Sequence, residues 1–161
     1  MKLLKRIVVA LAALIVAYHA AAGVLYVSGY RIYKIPTSSM EPTIRKDEMV
    51  VGRLSESYRS RVERLDIAIY RLPQAREQIY AMRVAALGGE NLTIGKDGLS
   101  VAGRKLSLPH PILPAGRGTL EVKIPPKSVY LVGDNTSDAM DSRYFGAVPF
   151  DDVLGYLVFK R

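Results

Sequence analysis

The spacing of apolar and polar positions divides the chain into two unequal parts. Residues 7–27 are almost unbroken in apolar side chains, from Ile7-Val8-Val9 to Leu25-Tyr26-Val27, and Lys2, Lys5 and Arg6 stand before them. About twenty such residues in a helix cover the ~30 Å of a bilayer's hydrocarbon. The run predicts a transmembrane anchor over residues 7–28, a basic tip at residues 1–6 and an extracytoplasmic domain at residues 29–161. The basic flank predicts a cytoplasmic N-terminus. Ala20-Ala21-Ala22 offers a small-residue site of the kind at which secretory signals are cut. The apolar run continues past it, so length and flanks favour an uncleaved anchor. His19 falls inside the span, and an imidazole bonded to neighbouring backbone or lipid is the simplest account of it.

Beyond the anchor the pattern becomes strand-like. Residues 49–54 and 66–72 are short, rich in apolar and β-branched side chains, and bounded by polar ones. Residues 91–94 alternate, Lys96-Asp97-Gly98 reads as a turn and residues 99–101 return from it, which predicts a β-hairpin. A second turn at Ala102-Gly103 leads into residues 104–106, and further strands are predicted at 120–124, 129–132 and 155–159. One short helix is predicted at 137–141, and Pro109, Pro111 and Pro114 make residues 106–118 a loop. The expected fold is therefore mainly β: one N-terminal transmembrane helix followed by an antiparallel sheet domain. The roughly 130 residues after the span suffice for a buried core.

Composition narrows the partners. The chain has 161 residues, no cysteine and a formal charge of +8. There is no disulfide framework, no thiol nucleophile and no cysteine metal site. No His/Asp/Glu group has ligand spacing, so neither a metal nor another cofactor is expected. The positive balance calls for an anionic partner. No basic tract is interleaved with aromatics, which argues against nucleic acid and leaves an anionic lipid surface.

Thr37-Ser38-Ser39-Met40-Glu41-Pro42-Thr43 follows the span closely and sets a candidate hydroxyl near the membrane surface. The stretch resembles the Ser-Met-x-Pro-Thr nucleophile motif of type I signal peptidases, serine endopeptidases of family S26. Four further ordered blocks extend the resemblance. Residues 46–51 are similar to the family's strand after the nucleophile. Arg64-Leu65-Asp66 heads a strand that usually opens Arg-Gly-Asp, and residues 83–90 are similar to the strand that carries the general base. Gly133-Asp134-Asn135, Asp141-Ser142-Arg143 and Gly146 resemble the last box. The resemblance implies a compact bacterial form without a large inserted domain, in the cytoplasmic membrane. It further implies preprotein signal peptides as substrates, cleaved after small residues.

The resemblance also assigns roles. Ser39 takes the nucleophile position, and its backbone N–H with the Thr37 hydroxyl takes the oxyanion-hole position. Pro42 and Thr43 are expected to fix the turn, and Met40 to face the membrane or the substrate. Arg83 follows the base position directly. Asp141 and Arg143 are expected to pair, Gly133 and Asn135 to shape the last turn, and Asp134 to act structurally. The family's base is a lysine of lowered pKa, but the residue at that position is Met82, whose thioether cannot accept a proton at neutral pH. The serine that orients the lysine, two residues before Asp-Ser-Arg, is Ala139. Substitute bases to weigh are Asp134, Asp138 and His110. Two functions follow: a peptidase of very low activity, or a non-catalytic member that binds signal peptides or surface-protein precursors. The latter would assist an active paralogue or the secretion and assembly machinery.

Overall fold

The computed structural model describes residues 1–72, 75–108, 110–116 and 118–158. Helix α1, Lys2–Val27, is a 26-residue helix with no buried residue and a mean hydropathy of 2.3 over its most apolar window. It starts five residues before the predicted anchor, because the basic tip continues the helix. His19 Nδ1 lies 2.7 Å from the Ile15 carbonyl one turn earlier, so the helix backbone itself supplies the ring's partner.

Among the described residues eleven strands follow: β1 (Tyr30–Lys34), β2 (Met49–Leu54), β3 (Ile67–Leu72), β4 (Ala75–Leu87), β5 (Asn91–Gly95), β6 (Gly98–Val101), β7 (Arg104–Lys105), β8 (Leu120–Lys123), β9 (Ser128–Val132), β10 (Val148–Pro149) and β11 (Val153–Leu157). Helix α2, Ser142–Phe145, lies between β9 and β10. The strands make two antiparallel sheets, ordered β1-β2-β11-β3-β4-β9-β10 and β7-β6-β5-β8. The smaller sheet is built from the segment between β4 and β9 and has a core of its own around Leu92, Ile94, Leu99 and Val101.

All five residues of β9 are buried, which alternation alone would not suggest. Val129 and Leu131 face the main core, whereas Tyr130 and Val132 face the second. A strand sandwiched on both faces reads as a continuous apolar run.

The expected elements differ from the observed ones in several places. Residues 136–138 form a turn, and the helix begins only at Ser142, because the Asp141 carboxylate accepts from the Arg143 N–H and caps it there. The last strand runs over 153–157, and Phe159, which the sequence reading included, lies outside the described residues. Strands β1, β10 and the first half of β4 are additional. Leu65, where the resembling motif usually has glycine, adopts a φ of 76°, a left-handed conformation that costs a branched side chain energy.

Burial of phenols in these cores makes the fold sensitive to alkali. The Tyr130 hydroxyl is pushed up to about 12, first by burial and then by the negative charge of Asp141. Tyr58 and Tyr70 are shifted in the same direction, again chiefly by burial. The unfolded chain loses these protons near pH 10 while the folded chain keeps them. These phenols are therefore expected to leave stability unchanged below about pH 10 and to lower it between about pH 10 and pH 12, with Tyr130 contributing on the order of 2–3 kcal/mol. Denaturant midpoints of the detergent-solubilised chain across this range check it. Tyr130→Phe should flatten the slope, and an unchanged slope would count against this origin.

Candidate functional site

The turn around Ser39 is built from both directions along the chain. β1 ends at Lys34, and residues 38–43 coil under the edge of the main sheet before β2 begins. The Ile44 N–H donates to the Met40 carbonyl at 2.9 Å, which closes the turn. Met40 and Ile44 are fully buried in the main core. This corrects the expectation that Met40 faces membrane or substrate: the turn folds its side chain inward, and it anchors the segment from below. Pro42 follows a cis peptide bond.

Ser39 itself is 8% exposed, and its Oγ is 3.0 Å from the Thr37 Oγ1. The last box holds this turn from the other side. The Asn135 N–H donates to the Ser39 carbonyl at 3.0 Å, and its side-chain amide donates to the Ser38 carbonyl at 3.1 Å. The Ser38 hydroxyl donates to Asp138. Gly133 is required here: a Cβ would sit 2.5 Å from the Ser39 carbonyl oxygen and 2.3 Å from the Ala139 Cβ. Its absence lets the two segments touch and sets Ala139, itself buried, beside the Ser39 backbone.

Two buried ion pairs lock this arrangement. Arg83 donates from Nε and Nη2 to both oxygens of Asp134, at 2.7 and 2.6 Å, and from Nη1 to the Leu65 carbonyl at 2.8 Å. The Thr43 hydroxyl adds a bond to Asp134, so the same carboxylate ties the serine turn to β4. Arg143 makes a second two-point pair with Asp141, both contacts at 2.8 Å, and also donates to the Leu113 carbonyl. Asp141 accepts from the Gly133 N–H at 2.9 Å, and the Ser142 hydroxyl accepts from the Leu131 N–H at 3.0 Å. These bonds fix the path of the chain between β9 and α2.

Met82 is 3% exposed and faces Ala68 across β3 and β4. Arg83 pairs with Val132, so Met82 and Gly133 come next on the two strands, and Met82 stands on the Ser39 side of the sheet. The Tyr70 hydroxyl donates to the Met82 Sδ at 3.2 Å. Burial, and after it the charge of Asp141, keep that phenol protonated well above its ordinary range. Sequence reasoning missed Tyr70, because a tyrosine in an apolar strand gives no sign of the partner its hydroxyl will meet. Among the candidate substitute bases, Asp134 has both oxygens engaged by Arg83. His110 lines a cavity at the small sheet with Leu99, Lys105 and Ile112, apart from the Ser39 turn. Among the described residues, no group of three or more His, Cys, Asp or Glu is arranged to hold a metal.

An apolar helix thus leads into an antiparallel β domain that carries a serine in a braced turn. The chain belongs to the signal peptidase family, peptidase S26, whose model matches residues 3–160. It is 30% identical to a probable signal peptidase I-2 of Synechocystis over 127 residues, 75% of this chain and 58% of that protein. It is 28% identical to a signal peptidase I of Bacillus caldolyticus over 144 residues, 80% of this chain and 77% of that protein. The crystal structure of a signal peptidase I from Enterococcus faecalis superposes with a TM-score of 0.51 at 25% identity, covering 60% of this chain and 97% of that one.

Proposed function

We propose that this chain is a membrane-anchored signal peptidase homologue that receives preprotein signal peptides at Ser39 and turns them over very slowly. The N-terminus lies in the bacterial cytoplasm, on the side of Lys2, Lys5 and Arg6, and residues 29–161 lie outside. In this reading Ser39 is the nucleophile, and its N–H with the Thr37 hydroxyl receives the oxyanion. Met82 and Ala139 stand where the base and its orienting hydroxyl belong.

One observation carries the reading. The partner of the Ser39 Oγ is another hydroxyl, that of Thr37, while the side chain in the base position is a buried thioether that itself receives a phenol proton. A hydroxyl partner is not an acceptor basic enough to take the serine proton at neutral pH. Loss of a general base costs ~10²–10⁴ in rate, and loss of a nucleophile's activating partner can cost ~10⁶. The bracing by Asn135, Asp134 and Thr43 is intact, which supports a groove that still holds substrate. Attendance on an active paralogue is the corresponding role.

The test uses the full chain in proteoliposomes with a signal-peptide-bearing preprotein, measuring binding and cleavage separately. Expected are retained binding and cleavage at least ~10² below that of a lysine-bearing relative. Brisk cleavage that Ser39→Ala abolishes would overturn the low-turnover reading and require another base, with Asp138 the first to replace.

A further inference from the structure

The last box carries the carboxylates of Asp134, Asp138 and Asp141, and they are not equivalent. Asp134 is buried and gives both oxygens to Arg83, and Asp141 is buried and gives both to Arg143. Asp138 is exposed and forms no ion pair among the described residues. The partner of its side chain is neutral, the Ser38 hydroxyl. Its negative charge therefore has no cation in contact with it, in a chain whose formal charge is +8.

That charge is also held in a defined place. The Asp138 N–H donates to the Asn135 carbonyl at 3.2 Å, and Asn135 is itself fixed to the Ser38 and Ser39 carbonyls. The carboxylate thus rests on the side chain of the residue just before Ser39. Neighbouring Cα atoms are ~3.8 Å apart, and an extended peptide advances ~3.3–3.6 Å per residue. Long side chains within about three positions of a peptide carbonyl seated at Ser39 are therefore in range of Asp138. The bond from Ser38 needs only an acceptor, which the amide oxygen of an asparagine would also supply. What an aspartate adds is the charge.

We propose that Asp138 is a specificity-determining residue: it favours precursors that carry Lys or Arg close to the carbonyl received at Ser39 and disfavours those with Asp or Glu there. The inference rests on the reading above that Ser39 receives peptides. An ammonium or guanidinium donates to the carboxylate in a charge-assisted bond, for which the lone pairs not taken by Ser38 are available. An acidic side chain meets repulsion instead, so attraction and exclusion both contribute to the choice. The bond from Ser38 already orders the carboxylate, which lowers the cost of fixing it on binding.

The experiment measures binding of end-capped peptides to the full chain in neutral detergent micelles. Each peptide has a small residue for Ser39 and either Lys, Gln or Glu at one flanking position, scanned over about three residues on each side. At about 50 mM salt the best-placed Lys peptide is expected to bind about threefold more tightly than its Gln counterpart, and the Glu peptide about threefold more weakly. This roughly tenfold span should shrink at about 500 mM salt, where exposed charges are screened. Asp138→Asn should remove the span while keeping an acceptor for Ser38, and Asp138→Lys should reverse its order. A merely structural Asp138 would shift all the peptides alike. If the Asp138 variants do not fold, Ser38→Ala should narrow the span, because the carboxylate loses its tether. Equal affinities for the Lys, Gln and Glu peptides overturn the proposal, and so does a span that survives Asp138→Asn or high salt. Absence of binding by every peptide defeats the reading of Ser39 as a peptide site and the preference with it, whereas binding indifferent to charge defeats only the preference.

Discussion

Met82→Lys combined with Ala139→Ser is expected to raise preprotein cleavage by ~10²–10⁴ over the parent, and Ser39→Ala on that background to abolish the gain. The argument is one of environment. Position 82 is 3% exposed, among Ala68, Tyr70 and the rest of the main core. An amine placed there would be desolvated, which favours its neutral form and makes it a proton acceptor near neutral pH. Position 139 lies against Gly133, beside the Ser39 backbone, where a hydroxyl is suited to orient that amine. Met82→Lys alone should give a smaller gain, because a long flexible amine without an orienting partner spends less time in line with Ser39. Cleavage is read as initial rate against a preprotein, together with its pH profile. A rise in rate with pH through the titration of the new amine is the signature of a lysine base. No gain from the double replacement would mean that Ser39 is not placed for attack in this chain.

Asp134→Ala is expected to lower stability by about 3–5 kcal/mol, the cost of leaving one member of a buried pair without its partner. Arg83 is 1% exposed, and its Nε and Nη2 both end on Asp134. Removing the carboxylate strands a guanidinium in the core and removes the acceptor of the Thr43 hydroxyl's bond to Asp134 as well. Arg83→Met with Asp134→Leu should cost much less, because two apolar side chains leave no unpaired charge. Urea unfolding of the detergent-solubilised chain distinguishes the cases by their midpoints. If the single and double replacements are equally destabilising, packing rather than charge pairing holds the turn to the sheet.

The sequence was most legible where one physical signal dominated. Residues 7–27 can only be an apolar helix, and the 91–101 hairpin followed from alternation around Lys96-Asp97. It was least legible where the partner of a segment lies far along the chain. β10 is two residues long and exists because Val129 offers Val148 a ladder position. The short helix was expected at 137–141, but it forms at 142–145, where Asp141 supplies the cap and is itself held by Arg143. Met40 was expected to face the membrane or the substrate because it is apolar, and a motif says nothing of which way a turn folds.

The sequence by itself determined the long apolar N-terminal helix, the β character of the remainder and the identities at positions 39, 82 and 139. These are local matters: length, periodicity and side-chain chemistry need no second segment. Only the tertiary structure decided that Gly133 brings the Ser39 and Ala139 segments together, that Arg83 and Thr43 share Asp134, and that Tyr70 reaches the Met82 sulfur. Tyr70 and Met82 are twelve residues apart, and Thr43 and Asp134 ninety-one. Contacts over such separations arise from strand register and close packing, which no pattern of neighbouring residues encodes.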